Sequence, residues 1–400
     1  MKILIIHNHY SKFSGEEAVV EAQIKLLQES GHTVSTYFRK SVEIETMPLG
    51  KLRSFCSAFY NPRSVKEIKR LLVSEQPDLV HIHNLFPLIS PAILPVIKKA
   101  GIPIVMTVHN YRLVCPNGLF FSQGKICEAC AGKGKEWNCI AKNCESSHFK
   151  SMGYALRNWW ARKQKYYLKH VDAFACLTEF QKEKLASNGF AAEKLFVIPN
   201  MYSGKVQKEK KIASGNTKKY IAFAGRISPE KGIDVLFEAA RLLPHIPFKL
   251  AGGVREDYEL PVKPTNVELV GMLKADELNE FYQAASLYVL SSIWYEGFPM
   301  VFPEAMNHSL PIIAPNMAGF PEVVRNQVNG LLFETGNASD LAKQIESLWS
   351  DPQKAKEFGE VGYQKLQEKY TPQQYSLNLQ HLYQQVLTTS AQAQTKTNLF

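Results

Sequence analysis

Apolar and polar positions recur along this chain with two alternating periods, and each change of period marks an element. KILIIH, from Lys2, is a short continuous apolar run and predicts a buried strand. EEAVVEAQIKLLQESG follows at helical spacing, then HTVSTYF as a second strand. SVKEIKRLLVSEQ, DLVHIHN, PAILPVIKKA and IPIVMTVHN repeat that order. Such alternation predicts a parallel sheet with helices on both faces. A helix-rich stretch, residues 151–170, leads to the strands AFACLT and EKLFVIPN.

The pattern breaks at residues 201–219, which are polar and lysine-rich and read as a linker. It restarts with YIAFAG, GIDVLFEAARLL, FKLAGG, VELVG, ADELNEFYQAA, LYVLSS and PIIAP. The expected fold is therefore α/β, with two doubly wound Rossmann-like domains facing each other across a cleft. They cover residues 1–200 and 220–371. TPQQYSLNLQHLYQQVL predicts a C-terminal helix over 372–390, and the polar residues 391–400 a disordered tail.

Composition narrows the partners. The 400 residues are 45% hydrophobic and 21% charged, as in a soluble two-domain protein. No apolar run approaches the ~20 residues of a membrane-spanning helix. KILII is too short for a signal-peptide core, so the expected location is the cytoplasm, with reduced cysteines. The 47 Lys+Arg against 37 Asp+Glu, a formal charge of +10, favour nucleic acid, phosphorylated small molecules or an acidic membrane face.

Ligands of open α/β sheets bind beyond the carboxyl ends of the strands. After YIAFAG, the loop GRISPEKG carries Arg226 and Lys231 into a helix near Gly232. Two cations of different geometry at a helix start suit a diphosphate. After LYVLSS comes EGFPMVFPEAM, which holds Glu296 at a loop entrance and Glu304 near a helix start, the helix opened by Pro303. Gly297 and Pro299 keep the intervening segment out of helix. Carboxylates so placed can hold the vicinal hydroxyls of a ribose or sugar, cap and solvate the surface, or act as the acid/nucleophile pair of a glycoside hydrolase. The hydrolase reading leaves Arg226 and Lys231 unemployed.

GRISPEKG, EGFPMVFPEAM, PEVV and NGLLF, in that order, resemble the retaining glycosyltransferases of family 4 over nearly the whole chain. The resemblance implies the GT-B fold, with C-terminal helices crossing back to the N-terminal domain. It implies that Arg226 and Lys231 neutralise the donor diphosphate, that Glu304 binds the nucleotide ribose, and that Glu296 binds the transferred sugar, with Gly297 and Phe298 beside it. SKFSGEE stands where the family has a Gly-Gly pair near the donor phosphates; Ser14 precedes Gly15, so one glycine matches. Glu16 and Glu17 would open the following helix, where acids also suit the dipole. His109 in TVHN resembles the family's histidine beside the transferred sugar, and Asn200 in VIPN an interdomain asparagine. The implied activity moves a sugar, with retention, from a nucleotide-sugar to a glycan or lipid-linked acceptor, as in cell-surface polysaccharide assembly. No D-x-D occurs, so no metal cofactor is expected in catalysis, and no nucleic acid is expected as partner. The alternatives are a nucleotide-sugar epimerase of like architecture and a non-catalytic, zinc-stapled basic binding protein.

Two further stretches carry their own chemistry. An insertion at about 115–148 holds Cys115, Cys127, Cys130, Cys139 and Cys144, followed by His148. Two closely spaced pairs, Cys127/Cys130 and Cys139/Cys144, predict a structural zinc with His148 as substitute ligand and Cys115 apart from the set. RNWWARKQKYYLK, from Arg157, mixes Trp159, Trp160, Tyr166 and Tyr167 with cations on one predicted helix. That composition suits peripheral contact with anionic membrane or a packed aromatic face.

Overall fold

Ile3, Leu4, Ile5 and Ile6 are fully buried, as a strand interior to a parallel sheet covered on both faces requires. The computed structural model describes residues 1–10, 15–57, 59–204, 206 and 219–397. Ser14, most of the expected linker and residues 398–400 lie outside them. The first sheet holds β1 (Lys2–His9), β2 (Thr33–Lys40), β3 (Leu79–Asn84), β4 (Ile104–Val108), β5 (Ala173–Cys176) and β6 (Leu195–Val197). Their order is β2-β1-β3-β4-β5-β6, every pair parallel. The second sheet holds β7 (Ile221–Ala224), β8 (Phe248–Ala251), β9 (Val267–Gly271), β10 (Leu287–Val289), β11 (Ile312–Pro315) and β12 (Gly330–Phe333). Here the order is β9-β8-β7-β10-β11-β12, again all parallel. Both are doubly wound, as the alternation predicts.

The winding direction reverses between β1 and β3 in one sheet and between β7 and β10 in the other. At such a switch point the loops leave the carboxyl ends in opposite directions and open a crevice. The chain divides into two units. One comprises Met1–Phe120, Cys127–Asn200 and Pro372–Phe400, the other Phe121–Ile126 and Met201–Thr371. Helices α1 (Gly15–Glu29), α2 (His148–Lys163), α3 (Ala275–Ala284), α4 (Val301–Asn307) and α5 (Pro372–Thr397) carry or brace the residues at those strand ends.

Helix α5 belongs to the first unit and fastens to its core through buried polar contacts. Tyr375 Oη donates to Gln23 Oε1 of α1 at 2.5 Å. Tyr383 Oη lies 2.5 Å from His81 Nδ1 on β3. With Nδ1 accepting, His81 Nε2–H donates to Thr107 Oγ1 at 2.8 Å. Burial holds the His81 imidazole near pKa 3, so this network is neutral.

Two local expectations are corrected. The C-terminal helix does not stop at 390 but continues to Thr397. Ala, Gln and Lys are good helix formers, and residues 391–397 contain neither Gly nor Pro to end the run. The aromatic stretch from Arg157 is two helices rather than one, α2 and Tyr166–His170. Between them Lys165 takes a left-handed backbone conformation (φ 54°), which interrupts the helical ladder. Trp159, Trp160, Tyr166 and Tyr167 are all half-buried. No described helix is long and apolar enough to cross a membrane.

Candidate functional site

At the switch point of the second unit, glycines let backbone approach backbone. A Cβ on Gly232 would lie 1.9 Å from the Ser291 carbonyl oxygen, and its φ of 67° is itself left-handed. The loop after β7 therefore presses against the loop after β10. Further bonds tie the two loops: Ser291 Oγ donates to the Lys231 carbonyl at 2.8 Å, and Ile293 N–H to the Glu230 carbonyl at 3.0 Å. The Lys231 backbone is thus fixed, and its Nζ reaches Glu296 Oε1 at 2.9 Å in a largely buried pair. The Ser292 hydroxyl donates to the same carboxylate oxygen. The basic neighbour that Glu296 lacks along the chain comes from another loop.

Arg226 pairs with Glu230 at 3.0 Å and remains 58% exposed. Glu230 is buried and shared with Arg255, whose guanidinium lies 2.9 Å away. Arg255 follows β8 in AGGVRED, the same strand, glycine and arginine order as AFAGR after β7. That parallel was the available signal for a second arginine at these strand ends. Glu304 sits on α4 and accepts a hydrogen bond from Tyr282 Oη of α3 at 2.8 Å. Burial pushes its carboxyl up to about 7, the Tyr282 hydroxyl opposing the shift. Phe298 is buried, its ring 5.3 Å from Tyr370. Ser292 and Tyr282 carried no sequence signal, because each meets its carboxylate only in the fold.

In the first unit, histidines gather at the ends of β1, β3 and β4. His109 Nε2 lies 2.9 Å from His83 Nδ1, and the His81 and His83 rings stack at 4.6 Å. Burial drives His7 and His109 to about 3, so both are neutral at physiological pH. Gly15 begins α1, and an added Cβ meets no described atom within 4 Å. Glu17 Oε1 accepts the Tyr10 amide at 2.8 Å, and Glu16 Oε2 the Tyr10 hydroxyl at 3.0 Å. The two acids clip the end of β1 to the start of α1. Asn200 is buried, with Oδ1 lacking a hydrogen-bond partner.

Among the described residues, one group places three metal-type ligand atoms within 4.8 Å of one another: His7, His9 and Glu17. None of the insertion's cysteines is joined in a disulfide. Cys130 and Cys139 are buried in one cluster, with Cys144 packed against it. Donating a hydrogen bond to Cys144, then burial, raises the Cys139 thiol well above its ordinary range, and Cys130 and Cys115 add to the effect. Cys115 is buried outside that cluster, its thiol donating to Asn117 Oδ1 at 2.9 Å. Cys127 is half-buried and acts on Cys130, while His148 is exposed at the start of α2.

The family model described as Glycosyltransferase Family 4 matches residues 13–203, and that described as Glycosyl transferases group 1 matches residues 205–365. An uncharacterized glycosyltransferase of Methanocaldococcus jannaschii is 27% identical over 399 residues, 96% of this chain and 99% of its own length. Among solved structures, a sucrose-phosphate synthase from Thermosynechococcus elongatus superposes with TM-score 0.71 at 18% identity, covering 97% of this chain and 99% of its own. Anabaena HepE, in complex with UDP and glucose, gives 0.64 at 19% identity, covering 98% and 99%.

The Glu304 environment has a measurable consequence. Its folded pKa of about 7 lies above the ordinary 4.5. The unfolded chain therefore gives up its proton first, and stability declines as pH rises through that window. Glu304→Gln keeps an acceptor for Tyr282 but cannot ionise. It should match wild type near pH ~4 and exceed it by ~3 kcal/mol near pH ~8 in urea denaturation. A variant no more stable than wild type at the higher pH would contradict this.

Proposed function

The chain belongs to the glycosyltransferases of family 4, and on that premise we propose that its second unit binds a nucleotide-sugar and supports transfer with retention. The observation that carries the reading is Lys231, fixed by its backbone at the switch point and held 2.9 Å from Glu296. A donor diphosphate would take over the lysine, and Glu296 would turn to the sugar hydroxyls. Arg226, more than half exposed at the mouth of the same loop, would supply the second cation. Glu304, with Tyr282 behind it, would accept from the ribose hydroxyls. HepE, whose fold this chain shares, is in complex with UDP and glucose, so UDP-glucose is the first donor to test.

In the reaction we propose, the acceptor hydroxyl oxygen forms a bond to the anomeric carbon on the face the leaving group departs. The bond from that carbon to the diphosphate oxygen breaks, and the acceptor proton passes to the diphosphate. Lys231 and Arg226 stabilise the charge that develops there, a preorganised electrostatic role that needs no metal. His109, neutral because it is buried, would hold a sugar hydroxyl by hydrogen bonding rather than by charge.

The acceptor we propose is a glycan or lipid-linked glycan, as in cell-surface polysaccharide assembly at the inner membrane face. Leu52, Phe149 and Met152 are exposed in the first unit, beside exposed Arg53 and Lys150. Apolar side chains rimmed by cations suit an anionic lipid surface. Flotation with anionic vesicles at low salt should carry the protein upward, and protein that stays at the bottom would rule the contact out.

A nucleotide-sugar panel read by nucleoside diphosphate release tests the activity. One donor should turn over, and Lys231→Ala should reduce that rate ~100-fold or more. Turnover at the wild-type rate in the variant would sink the assignment. For the cysteine insertion we propose a structural zinc drawing Cys127, Cys130, Cys139 and Cys144 together. The described thiols are not among the groups already placed to share an ion, so bonds of ~2.3 Å to a zinc would draw the cluster together. In the same preparation, elemental analysis should find about one zinc per chain. Catalysis should persist in excess chelator while the chain stays folded. Metal-free protein with freely titrating thiols would refute the zinc, and activity restored only by magnesium or manganese would refute metal independence.

A further inference from the structure

The first unit contains an open pocket lined among others by Phe86, His109, Asn110, Arg112, Arg157 and Tyr167. Two of its walls are guanidinium groups. Arg157 is 5% exposed, and Arg112 has buried nitrogens although its outer part is half-buried. Both lie over the same two rings, at 4.9 and 4.1 Å from the Phe86 centroid and 5.9 and 5.1 Å from that of Tyr154. Arg157 Nη2 is used, donating to the Pro116 carbonyl at 3.1 Å and to Asn158 Oδ1 at 2.8 Å. Arg112 Nε, Arg112 Nη1 and Arg157 Nη1 are buried with no hydrogen-bond partner.

A buried guanidinium ordinarily finds a carboxylate or a carbonyl for each free N–H, because an unpaired buried charge is strongly destabilising. Here two cations share one aromatic platform, and no salt bridge to either is formed among the described residues. Arg112 shares a hydrogen bond with Tyr10, and despite burial its guanidinium is raised by Tyr10, Tyr154, Glu16 and Glu145, whereas Glu145 is the one acid that acts on Arg157. Burial raises both carboxyls, Glu16 to about 7, and Glu16 already accepts from Tyr10. Burial, with Arg112 adding to it, lowers Arg157 to about 10, the signature of a cation short of counter-charge.

We propose that Arg112 and Arg157 seat a phosphate ester carried by the acceptor. Two cations match the charge of a phosphate better than that of a carboxylate, and three unused nitrogen donors match its oxygens. The planar groups cannot lose their charge at physiological pH, and an anion would satisfy both the charge and the unused nitrogens. His109 lines the same pocket, so a phosphate anchored there would hold the rest of the acceptor beside the residue expected at the transferred sugar. The inference rests on the reading that the first unit takes the acceptor.

Crystals of the full chain grown with tungstate, a tetrahedral phosphate analogue visible by its anomalous scattering, test the seat without any turnover. Tungstate should appear within hydrogen-bond reach of Arg112 and Arg157. Arg157→Gln should weaken its binding at least tenfold in solution, and Arg112→Gln should do the same if the first variant does not fold. Back-soaking separates the sources: displacement by glucose 6-phosphate points to a soluble phosphosugar, and by dodecyl phosphate to a lipid phosphate. Tungstate found only near Arg226 and Lys231, or absent, would overturn the proposal, as would displacement by neither ester. Because the map is read without a donor, failure of this seat and failure of the transferase reading are distinguishable.

Discussion

Gly232 against the Ser291 carbonyl is the contact on which the second unit's site depends. Two strands, β7 and β10, lie side by side where the sheet reverses its winding, and their loops must pass within van der Waals reach. Any side chain at Gly232 would meet backbone at 1.9 Å. Because none is there, the Lys231 carbonyl meets Ser291 Oγ and the Glu230 carbonyl meets the Ile293 amide. A long flexible lysine is thereby given a fixed root, which removes much of the freedom it would otherwise lose on ligand binding. The same fixed root makes its reach to Glu296 a property of the fold rather than of a surface encounter.

Both units pair buried charge. In the second unit Lys231 meets Glu296, and Glu230 meets Arg226 and Arg255. On the proposed reading, a diphosphate would displace one carboxylate without leaving a cation bare. In the first unit Arg39 meets Glu43 and Arg162 meets Glu136, while burial keeps the clustered histidines neutral. Arg112 and Arg157 stand out against these pairs by their buried guanidinium nitrogens without a hydrogen-bond partner.

Much of the fold was legible because it rests on local periodicity. Continuous apolar runs such as KILIIH and IPIVM gave interior strands, and the glycine-bearing loops after YIAFAG and LYVLSS marked the strand ends that meet at the switch point. What stayed hidden depends on contacts between distant segments. Tyr282 and Glu304 are 22 positions apart, and Lys231 and Glu296 are 65 apart. No spacing rule joins them. The tail was read from its polarity, which does not distinguish disorder from a solvated helix when the residues are good helix formers. Lys165 breaks the aromatic stretch without glycine or proline to announce it.

The central claim is that Lys231 and Arg226 are arranged for a diphosphate. Calorimetric titration tests it most directly, comparing the nucleoside diphosphate of the donor that turns over with the corresponding monophosphate. The account predicts that the diphosphate binds at least tenfold more tightly, ~1.4 kcal/mol or more, with the difference shrinking as salt is added. Equal affinities for the two at low salt would contradict it.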